Sequence, residues 1–244
     1  TLLRRCFDVT CALPISLFFF LMQRRPPRST LFPYATLFRS LLGLTVLVVE
    51  DSRFASESLR LLCLRSGARI RRADSLRSAR RHLAVYRPAI VIVDLGLPDG
   101  SGADLIRELV QATSRVGVIL GTSADAEGRA LATSAGADGY LPKPIDRLSQ
   151  FQQAVLSHLP ASQHLRGPRL VEDEPIIPDQ LALRDDLAHI SDILTTSQND
   201  GQAIAYVAQF LSGLARLSHD EPLAEAAHAL DDHHRSGKPT GTEV

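Results

Sequence analysis

Val46-Leu47-Val48-Val49-Glu50-Asp51-Ser52, then Val91-Ile92-Val93-Asp94-Leu95-Gly96-Leu97-Pro98, then Gly139-Tyr140-Leu141-Pro142-Lys143-Pro144 decide how this chain folds. Each is a run of β-favouring residues that stops at an acid or a lysine. Near-continuous apolar strands of this kind, buried on both faces, build the parallel sheet of an α/β domain. Ligands of such sheets bind beyond the carboxyl ends of the strands, where these charged residues fall. The pattern therefore gathers Glu50, Asp51, Asp94 and Lys143 at a single rim.

Working outward, Thr45–Val49 reads as the first strand. A helix with Leu59, Leu62 and Cys63 on its apolar stripe follows and stops at Gly67. Ala68–Arg72 is a more exposed strand that suits an edge. Asp74 or Ser75 caps a helix carrying Leu76, Ala79, Leu83 and Tyr86, which Pro88 ends. Ala89–Val93 is the most apolar strand and belongs at the centre. The turn Asp99-Gly100-Ser101-Gly102 leads into the helix of Leu105, Ile106 and Leu109. Val116–Leu120, a short helix over Asp125–Ala135, the strand Asp138–Leu141 and a closing helix over Ile145–Leu159 complete the set. Five strands alternating with five helices predict a doubly wound five-stranded parallel sheet with right-handed crossovers.

The chain has 244 residues, 45% of them hydrophobic and 22% charged, ordinary for a globular protein with a sizeable core. Its formal net charge of zero is unevenly spread. Residues 1–40 carry six Arg and one Asp, a net of +5; residues 41–160 carry fifteen basic and twelve acidic side chains, +3; residues 161–244 carry six and fourteen, −8. An acidic tail repels phosphate backbones and argues against direct nucleic-acid contact. Cys6, Cys11 and Cys63 form neither a metal spacing nor a disulfide framework, which fits a reducing, cytoplasmic compartment. Only Lys143 and Lys238 are lysines, against twenty-five arginines. A compact ammonium is not interchangeable with a planar guanidinium at a tight phosphoryl site, so the choice of lysine before Pro144 points to function.

Over residues 44–159 these motifs, in this order, resemble the receiver domain of two-component response regulators (the CheY-like family). The resemblance implies a flavodoxin-like sheet of order 2-1-3-4-5. It implies that Asp94 is the phosphoacceptor, taking a phosphoryl group from a sensor histidine kinase or phosphotransfer protein. It also implies that Asp51, Asp94 and the backbone carbonyl of Gly96 bind Mg²⁺, with Glu50 acting partly through water, and that Lys143 contacts the phosphoryl oxygens. Such a site works through positioning and electrostatics. Pro144 takes the cis peptide usual for the family. The switch hydroxyl falls on Thr122 counted from Asp94 and on Gly121 counted back from Lys143. Thr122 is chosen because only it can donate a hydrogen bond, and Ser123 is the fallback. Tyr140 matches the switch aromatic. Gly96 and Ala124 stand where the family often has polar side chains that handle the hydrolytic water, so slow self-dephosphorylation is expected. The chain is otherwise expected not to be an enzyme.

The first forty residues read differently. Leu13–Met22 is too short and too poorly ordered against its basic flank to be a spanning helix or a signal peptide. From Leu17 to Ser40 the sequence is similar to translated sequencing-adapter sequence, and the chain starts at Thr1, so residues 1–40 are expected to be non-native or disordered. Residues 160–178 hold four prolines and the run Glu172-Asp173-Glu174, a linker pattern. Residues 179–235 carry three helical stripes: Leu183, Leu187, Ile190, Leu194; Ile204, Val207, Leu211, Leu214; and Leu223, Ala227, Leu230. Breaks fall at Asn199-Asp200-Gly201 and Asp220-Glu221-Pro222. This region reads as a small all-α interaction or dimerisation module that lacks the basic helix of a DNA reader, and truncation at its end is left open as an expectation. None of His189, His219, His228, His233 and His234 has a phosphotransfer neighbourhood or metal-ligand spacing. The expected partners are a kinase or phosphotransfer protein, a downstream protein and a second copy, with no nucleic acid and no membrane. Two alternatives stay open: a truncated DNA-binding regulator, and a receiver coupled to a helical phosphatase or phosphotransfer output.

Overall fold

The computed structural model describes residues 40–160, 175–196 and 201–235. The reading of residues 1–39, the Glu172-Asp173-Glu174 run and the Asn199-Asp200 part of the first break lie outside those residues, as do the side chains of His233 and His234. The strands are β1 (Thr45–Val49), β2 (Arg69–Ala73), β3 (Ile90–Asp94), a two-residue ribbon β4 (Gly96–Leu97) with β5 (Gly100–Ser101), β6 (Val118–Ser123) and β7 (Gly139–Pro142). The helices are α1 (Arg53–Arg65), α2 (Leu76–Val85), α3 (Gly102–Gln111), α4 (Gly128–Ser134), α5 (Leu148–Leu156), α6 (Gln180–Thr196), α7 (Gly201–Ser218) and α8 (Glu221–Arg235).

The main sheet is parallel throughout, in the order β2-β1-β3-β6-β7, the expected topology once the small ribbon is set aside. The period of two along each strand divides the core. Val46, Val48, Ile90, Ile92, Val118 and Leu120 pack beneath α1 and α5 with Leu59, Leu62, Phe151 and Val155. Leu47, Val49, Val91, Val93 and Ile119 face the opposite way, onto α2, α3 and α4 through Leu76, Ala79, Leu105, Ile106 and Ala132. β2 is the edge strand, and its arginines are largely exposed. Serines begin three of the helices: the hydroxyls of Ser52, Ser75 and Ser101 accept from the backbone N–H of Ala55, Ser78 and Ala103. Asp99 also accepts from the N–H of Leu76 and Arg77, a second cap on α2 from the β4–β5 turn.

Several boundaries move for local reasons. The fourth main strand runs to Ser123, because its ladder with β3 continues until Thr122 lies beside Asp94. The residues from Asp125 form a turn closed by Gly128 N–H on the Asp125 carbonyl, so α4 starts three residues later than its composition suggests. α5 is shorter than 145–159 at both ends, although Ile145 and Leu159 are buried in the same core.

The three tail helices follow the predicted stripes, with one exception. Ile190, Val207, Leu211 and Ala227 form their shared core, while Leu187 is 37% exposed. α7 ends at His219, whose φ of +56° closes the helix with Asp220 N–H on the Ala215 carbonyl; Asp220 then accepts from Leu223 N–H to start α8. The tail is anchored to the sheet domain from its start. Ile176 N–H donates to the Asp146 carbonyl at 2.7 Å, and the Ile176 side chain is buried in the α1–α5 core.

Phe151 is fully buried between α5 and the sheet. Phe151→Ala is expected to lower the unfolding free energy by about 3–5 kcal/mol. The shift of the urea midpoint at constant slope measures it.

Candidate functional site

Three strand ends and one loop build the site. Parallel register sets the carboxyl ends of β1 and β3 side by side, so Glu50 and Asp51 leave β1 next to Asp94 at the end of β3. Lys143 arrives from the end of β7 through a cis Lys143–Pro144 peptide. Gly102, at the start of α3, touches the backbone of Asp94 so closely that a Cβ there would collide with the Asp94 carbonyl oxygen. The chain therefore enters α3 directly against the acid.

The charged groups meet as the sequence pattern suggests. Lys143 Nζ donates to Asp94 Oδ2 at 2.7 Å and to Glu50 Oε1 at 3.0 Å, with Glu50 Oε2 at 2.8 Å. One carboxylate oxygen each from Glu50, Asp51 and Asp94 lie within 4.8 Å of one another. Gly96 N–H donates to Asp94 Oδ1 at 3.3 Å. Thr122 is fully buried, and its Oγ1 has no hydrogen-bond partner among the described residues. Ser123 is placed otherwise, its hydroxyl accepting from Asp125 N–H. Gly121 packs under α4, where a Cβ would come within 2.6 Å of Ala132 Cβ. Of the three positions considered for the hydroxyl, Thr122 is the one beside Asp94. Tyr140 is half-buried, donates to the Ser123 carbonyl at 3.0 Å and lies under the Arg129 guanidinium, 5.1 Å from the ring centre.

One ammonium serves three acids, and most of this cluster is cut off from water. Burial raises the Glu50 carboxyl well above its ordinary range, Lys143 pulls it down, and the neighbouring Asp94 and Asp51 push it further up. Burial and then Asp94 raise Asp51 to about 6. Burial by itself would lower the Lys143 ammonium; Asp94 and Glu50 reverse that and hold it above the usual lysine value. The cluster carries excess negative charge that a divalent cation relieves, and an all-oxygen donor set suits a hard cation. Among the described residues it is the one group of acids, histidines or cysteines close enough to hold a metal.

The sequence alone missed the residues that arrive from the tail. Tyr206 on α7 donates its phenol proton to Asp51 Oδ2 at 2.5 Å. Burial, with Asp51 beside it, raises the Tyr206 hydroxyl above the ordinary tyrosine range. Asp186 on α6, 3% exposed, accepts from Ser52 Oγ at 2.8 Å, Arg53 N–H at 2.9 Å and Phe54 N–H at 3.0 Å. The Gln209 carboxamide lies against Gly96, and Arg216 donates to the Ala124 carbonyl. His189 and His228 are exposed, His189 lining the cavity beside Glu50, Asp51 and Tyr206, and His219 sits 3.9 Å from Asp146.

The sequence model of the family described as response regulator receiver domain matches residues 46–155. Residues 46–155 are a response regulator receiver domain. This receiver is of the kind found in two-component systems. It is 36% identical over 100 residues to the KDP operon transcriptional regulatory protein KdpE of Escherichia coli, a match covering 41% of this chain and 44% of KdpE. It is 34% identical over 114 residues to the virulence transcriptional regulatory protein PhoP of Salmonella typhimurium, covering 46% of this chain and 51% of PhoP. The chain thus spans about half the length of these curated relatives. A CheY-like receiver domain from Methylobacillus flagellatus superposes with a TM-score of 0.43 at 26% identity, covering 47% of this chain and 97% of that one. No helix among the described residues is long and apolar enough to cross a membrane.

The raised acids of the receiver make its stability depend on pH in a definite sense. A carboxyl whose folded pKa lies above its unfolded value stabilises the fold below the unfolded pKa, and that contribution is lost as pH rises through the folded one. For Asp51 the window runs from the ordinary 3.8 up to about 6. In chelator, the thermal midpoint is expected to fall by about 5 °C between about pH 5 and pH 7.5, and Asp51→Asn to flatten that fall. Millimolar MgCl₂ raises the midpoint more at the higher pH. Differential scanning calorimetry at the two pH values reads all three effects.

Proposed function

We propose that this chain is a phosphorelay response regulator whose Asp94 accepts a phosphoryl group from the phosphohistidine of a sensor histidine kinase or phosphotransfer protein. The observation that carries this reading is Lys143 bridging Asp94 and Glu50 at the strand ends, with the unpartnered Thr122 hydroxyl beside Asp94. An Asp94 carboxylate oxygen attacks phosphorus as the P–N bond to imidazole breaks. The products are an aspartyl phosphate and a ring nitrogen that takes a proton from water. Lys143 balances charge on the transferred oxygens, and Gly96 N–H holds the free carboxylate oxygen in line. Asp51, Asp94 and the Gly96 carbonyl would hold Mg²⁺, with Glu50 behind them, and the cation supplies further charge neutralisation.

After transfer, the Thr122 hydroxyl finds in the phosphoryl oxygens the acceptor it otherwise lacks. Its move frees room toward which Tyr140 turns, changing the α4–β7–α5 face that a downstream protein reads. Beyond accepting and slowly releasing its own phosphoryl group, the chain catalyses nothing; its setting is the cytoplasm. Neither Gly96 nor Ala124 offers a polar side chain to hold the attacking water, so the aspartyl phosphate is long-lived.

Incubation with acetyl phosphate and MgCl₂, read by intact mass and phosphate-affinity electrophoresis, tests the reading. Parent protein gains one phosphoryl group, Asp94→Ala gains none, and Lys143→Ala loses at least about a hundredfold in rate. Undiminished labelling of Asp94→Ala sinks the assignment. A phosphoryl half-life of a few seconds in MgCl₂ argues against slow release.

A further inference from the structure

The tail helices sit on the very rim at which the receiver would work. Tyr206 donates to Oδ2 of Asp51, one of the three carboxylates gathered closely enough to hold a cation. Asp186 takes the two leading N–H groups of α1 and the Ser52 hydroxyl, so a tail carboxylate caps a receiver helix directly after the acidic loop. Gln209 lies over Gly96: a Cβ on that glycine would meet the carboxamide oxygen at 2.7 Å. Gly213 brings the α7 backbone onto Ala124 and the Lys143 stem, since a Cβ there would stand 3.7 Å from Ala124 Cβ and 4.0 Å from Lys143 Cδ. Phe54 of α1 is buried with Leu214 and Leu217 of α7. With the tail in this position Asp94 is only 6% exposed. The tail helices cover part of the rim along which a phosphohistidine carried on another protein would reach it.

We propose that α6 and α7 form an intramolecular lid on the phosphoacceptor pocket, closed by Tyr206 on Asp51 and by Asp186 on the start of α1, which a divalent cation and a phosphoryl donor must lift. The inference rests on the function proposed above and adds its regulation. Cation and phenol compete for the same Asp51 carboxylate. Lifting uncovers Asp94 and the start of α1 and withdraws Gln209 from Gly96. It also exposes the α7 face carrying Tyr206, Phe210 and Leu214, which is then free for a partner. Receiver and tail thereby exclude one another's ligands, so loading with metal and phosphate is the signal that frees the tail.

The test uses the full chain as parent, Tyr206→Phe, and Gly213→Leu, a wedge that pries α7 from Ala124 and Lys143 without altering the carboxylates. Two readouts run together: the acetyl phosphate labelling rate at sub-saturating MgCl₂, and hydrogen–deuterium exchange over residues 201–218. Both variants are expected to label about tenfold faster than parent, from the loss of one charge-assisted hydrogen bond or its geometry. MgCl₂ plus acetyl phosphate is expected to speed α7 exchange in parent, with β1 and β3 still protected. Equal labelling rates in all three proteins, with α7 exchange unchanged by MgCl₂ and acetyl phosphate, overturn the lid and leave the phosphoacceptor reading standing. If no protein labels, the phosphoacceptor reading fails; α7 exchange on adding MgCl₂ alone then decides the lid, faster exchange supporting it and unchanged exchange overturning it. Labelling of the variants but not of parent supports both.

Discussion

Lys143 holds one ammonium between two carboxylates of different strands, and the geometry of the receiver's working end depends on that bridge. With side chains of Lys143 and Glu50 only 11% and 1% exposed, neither charge has water to fall back on. A buried ion pair gives little net stability against an apolar alternative, but removing one partner strands the other at a cost of about 3–5 kcal/mol. The bridge is therefore better understood as fixing position than as adding stability. It ties the end of β7 to the ends of β1 and β3, across a sheet in which β6 lies between, and so sets the distance from Lys143 to Asp94. Because three acids share one ammonium, the site is left short of positive charge. A divalent cation is the kind of ligand that would relieve that imbalance.

The same shortage explains what the tail does there. A phenol proton is a weak substitute for a cation, yet on Asp51 it relieves some of the repulsion from Asp94 and keeps the acid hydrogen-bonded inside a closed cover. The cover as a whole is not strong. Its polar grip consists of a few hydrogen bonds to charged groups, each worth about 1.5–3 kcal/mol, and an exposed Arg53–Asp185 pair worth about 1 kcal/mol or less. Its apolar grip is one small cluster around Phe54. Against this stands the tight Ile176 anchor at the base of the tail, inside the main core. A firmly held hinge and a lightly held far end describe an element that can open without unfolding the sheet.

Much of this was legible in the sequence, for reasons that differ by residue. β1 and β3 are short, apolar and terminated by acids, and period-two burial on both faces leaves such strands few alternatives. The order of Glu50, Asp51, Asp94 and Lys143 then placed all four at one rim, since parallel strands share their carboxyl end. The choice among Gly121, Thr122 and Ser123 could not be made by counting. It depends on the β3–β6 register and on Ala132 packing against Gly121, both tertiary facts. The lid was invisible for a deeper reason. Tyr206 stands beside Val207 of the α7 stripe and Asp186 beside Asp185, and the helical pattern singles out neither. Their partners lie 155 and 132 to 134 residues away, and nothing local marks either for a distant contact. The one hint was an aromatic bearing a hydroxyl among the apolar side chains of α7, because a buried tyrosine needs an acceptor.

Closure and loading are linked quantities, which constrains how such a receiver can be tuned. If closing the tail weakens cation binding by some factor, cation binding must weaken closure by the same factor. A tighter lid would silence the unphosphorylated state more fully, yet it would also require more binding free energy from metal and phosphoryl group to open. The contacts observed sit between those limits: a full carboxylate cap on α1 at one point, a single phenol on an acid of the cluster at another, and glycine rather than a larger residue at 213. Replacing the phenol with a lysine would close the site more firmly by supplying the missing charge outright, and no cation would then be needed. A neutral donor covers the acids without satisfying them, so the cation still has its charge to contribute. That difference between covering and satisfying allows one surface to serve as both a resting contact and a loading site.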